Sequence, residues 1–268
     1  LVLALGRDAI LPRVLGPAES VPGPGFVVAP GADDNAASGL GLDARPGDVV
    51  VSIGTSAPLF ATTDVPTADV AGTVAGFADA AGGYLPLVCT LNAARVLGSV
   101  AGVLGVDFDE LGRLALAAEP GAGGVVLVPY FEGERTPNLP DATASLTGLT
   151  LGNTTRENLA RAAIEGMLCG LAAGLDAIRG FGVRAHRILL TGGAAANPAV
   201  QAIAAQVFDV PVLVPEPGEY VADGAARQAA WALTGQRPTW PLDLLAAPEP
   251  DLRPVIREQY RAAAAAHL

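Results

Sequence analysis

The chain contains no lysine, and all 16 of its basic residues are arginine. This absence excludes every mechanism that needs a side-chain amine: the phosphate-loop lysine of Walker-type NTPases, the strand lysine of protein kinases and Schiff-base chemistry. Any nucleotide chemistry in this chain therefore needs a different fold.

Cysteine and histidine are also scarce. Cys89, Cys169, His186 and His267 lie too far apart in sequence for a zinc cluster, and two cysteines do not make a disulfide framework. We therefore expect a protein of the reducing cytoplasm. Long apolar runs are missing too, since none reaches the roughly 18 residues of a membrane span, and the start resembles no signal peptide. The chain begins without Met, as expected if a portion precedes it.

Positive charge is in deficit, because 27 acidic residues face 16 basic ones and the net charge is −11. Such a charge repels a nucleic-acid backbone and an anionic membrane surface, so we expect neither as a partner. With 268 residues, 51% of them hydrophobic, the chain can bury a substantial core as one large domain or two small ones. The Pro/Gly-rich stretch Pro17–Pro24 is a candidate boundary.

Strands and helices alternate along the chain, which favours an α/β fold. A short buried strand and a small-residue helix come first, and three adjacent strands followed by a helix then give the βββα opening of a ribonuclease-H-like sheet. The predicted ranges are a strand at Phe26–Ala29, a helix through Leu40, strands at Asp48–Ile53, Pro58–Thr62 and Tyr84–Cys89, and a helix carrying Leu91 to Leu104.

The most regular predicted helix spans Thr155–Arg179, where apolar residues recur every three or four positions. Thr154 with Glu157 forms a capping-box pattern at its start. The predicted elements after it are a strand at Arg187–Leu190, a helix at Asn197–Phe208, a strand at Val212–Val214, a helix at Asp223–Leu233 and a terminal helix at Val255–Leu268.

Three segments place small or acidic residues directly after a predicted strand, where backbone amides can contact phosphate and a carboxylate can face a substrate. They are Pro30–Asn35, Ser52–Ser56 and Leu190–Asn197. In this order they suggest a nucleotide-dependent phosphoryl transferase.

Asp34 lies at the predicted start of a helix. There its carboxylate can orient a hydroxyl and accept its proton during attack on phosphorus. The alternative is an ordinary N-cap, for which Asp is a preferred residue. Its neighbour Asp33 is either a solvated turn residue or a like charge that raises the affinity of Asp34 for a proton or a metal ion.

The turn Gly54–Ser56 can place successive amides and one hydroxyl on a γ-phosphate oxygen, although Gly and Ser are equally ordinary in a hairpin turn. In the third segment, Gly192, Gly193 and the alanines after them leave room for a flat base or a ribose. Asn197 then offers an amide, unless this is a close-packed turn that Asn197 caps.

Gly133–Pro137 is a charged insert. Nothing singles out Arg135 among 16 arginines as a phosphate clamp, so we expect a structural pair between Glu134 and Arg135.

In combination, these segments resemble the C-terminal half of an FGGY-family carbohydrate kinase, a branch of the actin-like ATPase fold, over nearly all of the chain. The most specific match is Ala144–Leu149 followed by Asn158–Glu165, which is similar to the family's second signature. The resemblance implies that Asp34 is the catalytic base. The implied ATP-binding residues are Gly54, Thr55, Ser56, Gly192, Gly193, Ala194 and Asn197, and the implied substrate-binding residues are Asp34 and Asn35.

The resemblance also implies ATP and magnesium as cofactors, with unassigned magnesium ligands, and a sugar as substrate. Pro129–Pro137 is most similar to the family's xylulose-specific members, which implies D-xylulose. Residues 1–24 would be the tail of an absent N-terminal domain and its connection, and 25–268 the C-terminal nucleotide-binding domain. If the last helix packs on the absent domain, its apolar side would be bare in this chain. Alternatives are an isolated nucleotide-binding module or inactive remnant, a kinase for another sugar or a polyol such as glycerol, and a sugar-responsive regulator. A homodimer stays open.

Overall fold

The computed structural model describes residue 10 and residues 12–267. Residues 1–9 and 11 of the segment 1–24, and the last residue of the predicted terminal helix, therefore lie outside the described residues. The first two strands, β1 (Val21–Gly23) and β2 (Phe26–Val28), pair antiparallel with each other through a turn at Gly25, whose φ is +84°. The predicted strand at Phe26–Ala29 is present as β2, but all of β2 is exposed, so its predicted burial is wrong.

The central part of the chain contains most of the regular structure. Its first helix is α1 (Asp34–Gly41), and the elements after it are β3 (Asp48–Ser52), β4 (Ala57–Ala61), β5 (Ala75–Ala78), β6 (Tyr84–Thr90), α2 (Ala94–Leu104), α3 (Phe108–Ala117), β7 (Val126–Val128), β8 (Ser145–Thr147), α4 (Arg156–Arg179), β9 (Arg187–Thr191), α5 (Pro198–Val207), β10 (Val212–Pro215), α6 (Tyr220–Thr234), β11 (Leu244–Ala246) and α7 (Pro254–Ala264). The sequence pattern missed β5, a four-residue strand that contains a glycine.

Seven strands form one sheet in the order β11-β10-β9-β3-β4-β6-β5. The neighbours β3, β9 and β10 run parallel, and the other strands pair antiparallel with their neighbours. The predicted adjacency of three strands is confirmed by β3, β4 and β6, which pair antiparallel. Because β3, β9 and β10 are parallel, their carboxyl ends meet at one edge of the sheet, where open α/β sheets bind ligands.

Helices cover both faces of this sheet, because residues alternate along its central strands. Val49 and Val51 of β3 belong to the larger buried cluster, which contains the apolar residues of α4. Val50 belongs to the smaller cluster, which contains Leu40 of α1. Successive side chains of a strand point to opposite faces, so the two clusters are two cores in a helix–sheet–helix arrangement.

Two glycines let the backbones of α1 and α6 touch. A Cβ on Gly224 would lie 1.8 Å from the carbonyl oxygen of Ala37, and one on Gly41 would lie 2.0 Å from that of Tyr220. Only glycine allows such an approach. The start of α6 is thereby fixed beside α1.

Helix α4 confirms the predicted periodic helix, but its cap differs from the predicted one. The Thr155 hydroxyl accepts from the backbone amide of Asn158 at 3.2 Å. The hydroxyl of Thr154 instead donates to the carbonyl oxygen of Thr150 at 2.6 Å. The capping box predicted at Thr154 was therefore one residue too early.

The terminal helix α7 packs on α4 and β7. Its residues Ile256 and Tyr260 are buried there. The side of α7 that carries them is therefore covered within this chain. Among the described residues, we find no helix with both the length and the apolar character needed to cross a membrane.

Candidate active site

A cleft of about 380 Å³ opens at the carboxyl ends of the three parallel strands. Ser52 ends β3 and Thr191 ends β9, and both line it. The other lining residues are Ser38 of α1, Gly192, Gly193, Ala195 and Ala196 after β9, Val214, the segment from Pro215 through Val221 that leads into α6, and Leu245. Clefts of this size at this edge of an α/β sheet hold small ligands.

Gly192 shapes the centre of the cleft. Its φ is +89°, and a Cβ there would lie 2.6 Å from the carbonyl oxygen of Ile53. That oxygen accepts from the amide of Ala194 at 3.4 Å, and the Ile53 amide donates to the carbonyl oxygen of Thr191 at 2.8 Å. The turn after β9 is thus joined to the end of β3, which leaves no room for a side chain at residue 192. At Gly193, by contrast, a Cβ would meet nothing within 4 Å.

The tip of the β3–β4 hairpin, Gly54–Ser56, begins two residues after Ser52, which lines the cleft. The Gly54 amide donates to the carbonyl oxygen of Ser56 at 3.1 Å, and the Gly54 carbonyl accepts from the amide of Ala94 at 3.0 Å. Within residues 12–267, no hydrogen bond uses the backbone amides of Thr55 and Ser56. The tip therefore offers two free N–H donors, an arrangement that suits an anion.

Asp34 is the first residue of α1, and Asp33 before it is the N-cap that accepts from the Ala36 amide at 2.8 Å. The capping alternative considered for Asp34 thus belongs to its neighbour. Oδ1 of Asp34 accepts from the backbone and side-chain nitrogens of Asn35 at 2.9 and 2.8 Å, and none of the described donors contacts Oδ2. Asp34 is not in the cleft lining, but it lies one helical turn before Ser38, which is, on the same face of α1.

The remaining candidates, Ala194 and Asn197, belong to the turn between β9 and α5. Asn197 caps α5 by accepting from the Ala199 amide at 2.9 Å, and its side-chain nitrogen donates to the carbonyl oxygen of Phe108 at 2.9 Å. Ala194, like Asn197, is absent from the cleft lining. The structure thus brings Gly192 and Gly193 into the cleft lining and uses Ala194 and Asn197 in the supporting turn, whereas Asp34, Asn35 and the hairpin tip lie outside the lining.

Sequence reasoning missed the wall formed by the segment after β10. Glu216, Glu219 and Tyr220 line the cleft there, and the Tyr220 hydroxyl donates to the Glu216 carbonyl. Partial burial and then the negative charges of Asp223, Glu216 and Asp243 raise the pKa of Tyr220, so its hydroxyl stays neutral at physiological pH. The available signal was the predicted strand at Val212–Val214, whose carboxyl end falls at the same edge.

The predicted pair between Glu134 and Arg135 does not form among the described residues. Glu134 is buried, and its Oε1 accepts from the backbone amides of Leu91 and Arg135, each at 2.7 Å. The Arg135 side chain is exposed. A local pairing of opposite charges was the expectation, but backbone donors across the fold satisfy this carboxylate.

A second cavity, of about 350 Å³, lies between α4 and α7. Most of its surface is apolar, and Tyr130, Cys169 and Tyr260 line part of it. Tyr130, Thr136 and Pro137 of the segment Pro129–Pro137 line it, but none of the candidate catalytic, ATP-binding or substrate-binding residues does, and it lies away from the carboxyl ends of the parallel strands. The cleft at the sheet edge is therefore the better candidate.

Metal binding by side chains alone has little support in the part of the chain that the structure describes. No group of three or more His, Cys, Asp or Glu side chains there is arranged to hold a metal ion. Magnesium often keeps several waters and binds through one or two carboxylates together with substrate phosphates. The acidic pair Asp33 and Asp34 fits only this second mode.

Comparisons with known proteins agree with the geometry. Residues 49–233 match the model of the C-terminal domain of the FGGY family of carbohydrate kinases. The xylulose kinase of Streptomyces rubiginosus is 44% identical over 246 residues, which cover 87% of this chain and 49% of that protein. That of Haemophilus influenzae is 34% identical over 241 residues, covering 85% of this chain and 49% of that protein.

A solved structure extends the agreement to three dimensions. The crystal structure of xylulose kinase from Bifidobacterium adolescentis matches with a TM-score of 0.88 at 47% identity, covering 94% of this chain and 53% of that one. The present chain thus spans about half the length of these relatives. The structural neighbours confirm the predicted actin-like ATPase fold. On the family match and the relatives together, the chain belongs to the FGGY family of carbohydrate kinases.

Proposed function

We propose that this chain is the nucleotide-binding half of a kinase that transfers the γ-phosphate of ATP to the terminal hydroxyl of D-xylulose, giving D-xylulose 5-phosphate. The likeness to xylulose kinases supports the choice of sugar. The observation that carries the proposal is the glycine-lined cleft at the carboxyl ends of β3, β9 and β10. Because the reaction consumes ATP, we propose a cytoplasmic location.

The chemistry of the cleft walls supports one orientation of ATP. The free amides of Thr55 and Ser56 are donors that suit phosphate oxygens. Glu216 and Glu219, on the other wall, repel phosphates and can accept from ribose hydroxyls. In this proposal the bare surface of Gly193 receives the adenosine. The full proposed set is Gly54, Thr55, Ser56, Gly192 and Gly193 near the nucleotide, with Ala194 and Asn197 fixing the turn.

Asp34 is the proposed general base. As the sugar oxygen forms its bond to Pγ and the bond from Pγ to the ADP oxygen breaks, the hydroxyl proton passes to Oδ2 of Asp34, which is open to substrate. Asn35 holds Oδ1 through two N–H groups and so fixes the orientation of the carboxylate. The sugar hydroxyl must lie between Oδ2 of Asp34 and Pγ. The main contribution of Asp34 and Asn35 is therefore to position that hydroxyl for attack.

We propose that magnesium enters with ATP. Phosphate oxygens and water would supply most of its ligands, and Asp33 and Asp34 are the acidic groups of this chain at the start of α1. When bound, the ion neutralises charge on the phosphates.

We also propose a homodimer. Val103, which is 83% exposed, Phe131 and Leu146 border an apolar groove of about 280 Å³ beside α2. Apolar residues exposed together favour association. Sedimentation velocity of this chain and of Val103→Asp tests the idea: the variant should be monomeric, and a monomeric parent chain would rule it out.

The test of the catalytic proposal uses a chimera in which this chain replaces the matching half of the Streptomyces rubiginosus xylulose kinase. Asp34→Asn should lower kcat for D-xylulose by about 100- to 10,000-fold and leave ATP binding within about threefold, because only the base is lost. The matched control is Asp64→Asn, the same change at an exposed carboxylate outside the cleft lining, which should retain turnover. Near-normal turnover of Asp34→Asn would remove Asp34 from the mechanism.

The chain alone provides a second test. Calorimetric titration should detect ATP binding, whereas D-xylulose should not stimulate ADP release, because about half of the relatives' length is absent from it. Sugar-dependent turnover by the chain alone would contradict the assignment of this chain as one half of the catalytic unit.

A further inference from the structure

We infer that Glu134 is a positioning residue for the phosphate-binding hairpin tip Gly54–Ser56, although it does not line the cleft. This inference rests on the proposed function of that tip. Glu134 is a buried carboxylate in the loop after β7, and the backbone amides of Thr55 and Ser56 are the groups that would contact phosphate.

The surroundings of Glu134 are unusual for a carboxylate. Its side chain is buried, with 3% of the residue exposed. Its Oε1 accepts from the amides of Leu91 and Arg135, and its Oε2 accepts from the side-chain nitrogen of Asn92 at 2.9 Å. Within residues 12–267, no arginine forms an ion pair with it. A buried charge without a cation depends on such donors, so the carboxylate and these donors hold each other in place.

The donors belong to the turn between β6 and α2. Asn92 is buried, and its side-chain nitrogen also donates to the carbonyl oxygen of Gly133 at 2.8 Å. The turn leads to Ala94, the first residue of α2, whose amide donates to the carbonyl oxygen of Gly54 at 3.0 Å. A continuous path of hydrogen bonds and short backbone links therefore runs from Glu134 to the hairpin tip.

The tip is held from two sides. On one side, the Ile53 carbonyl accepts from the amide of Ala194, which ties the tip to the turn after β9. On the other side, the Gly54 carbonyl accepts from Ala94, which depends on the contacts of Glu134. Loss of the second attachment should loosen Thr55 and Ser56 while the adenosine surface at Gly193 stays intact.

The loop that carries Glu134 is itself rigid. The backbone amide of Glu134 donates to the carbonyl oxygen of Leu139 at 2.8 Å. The backbone amide of Leu139 donates to the carbonyl oxygen of Glu134, also at 2.8 Å. Gly133 has a φ of +75°, and a Cβ there would lie 2.2 Å from the carbonyl oxygen of Pro140. The carboxylate thus has a fixed base from which to hold the turn.

The test compares two variants of the 268-residue chain. Glu134→Gln keeps the size of the side chain but turns an N–H group toward N–H donors. Glu132→Gln makes the same change two residues earlier, at an exposed carboxylate that pairs only with Arg95 among the described residues. Hydrogen exchange measured by NMR should show the Ala94 amide exchanging about tenfold faster in Glu134→Gln, as expected when a hydrogen bond to a charged group is lost. The control should match the parent chain, and unchanged exchange in Glu134→Gln would overturn the inference.

Ligand binding separates positioning from general support. Glu134→Gln should lose about tenfold in affinity for ATP and keep its affinity for adenosine. Equal losses for both ligands, or no loss for either, would overturn the inference. If the parent chain binds neither ligand, the proposed function fails, while the exchange of Ala94 still decides whether Glu134 holds the tip. Should Glu134→Gln fail to fold, Asn92→Ser takes its place in both measurements, because it removes a single donor to Glu134.

Discussion

The strands β3 and β9 differ sharply at their two ends. At the amino ends, Asp48 accepts two hydrogen bonds from Arg187 at 2.7 and 2.8 Å. At the carboxyl ends, the paired residues Ser52 and Thr191 line the cleft. One edge of the sheet is closed by ion pairs and the other is left open for a ligand.

The closed edge also fixes the helices that border the cleft. Asp43, which follows α1, accepts from Arg45, from Arg237 and from Arg227 of α6. Arg227 is almost wholly buried. Ion pairs thus lie at one edge of the sheet and the proposed ATP cleft at the opposite edge, so substitutions at the two edges should have different consequences.

The largest effect on stability is expected at the closed edge. Asp43→Ala leaves three guanidinium groups without their shared carboxylate, one of them buried, and should lower the free energy of unfolding by about 3–5 kcal/mol. Urea denaturation measures this loss, and the folded variant should keep the ATP affinity of the parent chain. The control Asp64→Ala, at an exposed position, should change stability by less than about 0.5 kcal/mol. An equally stable Asp43→Ala would show that this cluster does not close the edge.

At the open edge, a single methyl group should distinguish two neighbouring glycines. Gly192→Ala forces a Cβ against the Ile53 carbonyl at positive φ and should cost about 2–4 kcal/mol in urea denaturation. Gly193→Ala meets no atom within 4 Å and should cost less than about 1 kcal/mol. Similar costs at the two positions would contradict the described contact between the turn and β3.

A larger side chain at Gly193 should affect binding more than folding. Gly193→Leu fills part of the cleft and should weaken adenosine binding by about tenfold or more, with the free energy of unfolding changed by less than about 1 kcal/mol. Calorimetry and urea denaturation on the same sample separate the two effects. Unchanged adenosine affinity would place the nucleoside elsewhere.

The smallest expected effect concerns Cys89, beside the hairpin on β6. Burial raises the pKa of this thiol, with a smaller lowering by Arg135. Because the thiolate is the reactive form, alkylation by iodoacetamide should be slow at neutral pH and still be rising past pH 9. Bound ATP should slow the alkylation of Cys89 further, because the hairpin beside Cys89 would then contact phosphate. Asp43→Ala, at the opposite edge of the sheet, should leave the alkylation rate unchanged. Mass spectrometry can follow Cys89 separately from buried Cys169.

Features with a strong local pattern were predictable from the sequence. The periodic apolar residues of α4, the hairpin around Gly54–Ser56 and the glycine turn after β9 each have a local cause. The exposure of β2 was not predictable, because a three-residue apolar strand looks the same on a surface as in a core. Neither was the choice between Thr154 and Thr155 as the cap, since both have the same side chain.

Contacts between distant parts of the chain account for the other misses. Glu134 accepts from Leu91 across 43 positions of sequence, and the charge of its neighbour Arg135 suggested a local pair instead. The cleft wall at Glu216–Val221 is defined by the parallel pairing of β10 with β9, which no residue within the wall itself reveals. In both cases the partner is fixed by the sheet topology.

Titration of the ¹⁵N-labelled chain with ATP, followed by NMR, can locate the nucleotide on one edge of the sheet. The expected result is shifts in the backbone resonances of Thr55, Ser56, Gly192 and Gly193, with no shifts at Asp43 or Asp48. Shifts confined to the Asp43 edge or to the cavity between α4 and α7, with none at the glycine turn, would contradict the assignment of the cleft as the ATP site.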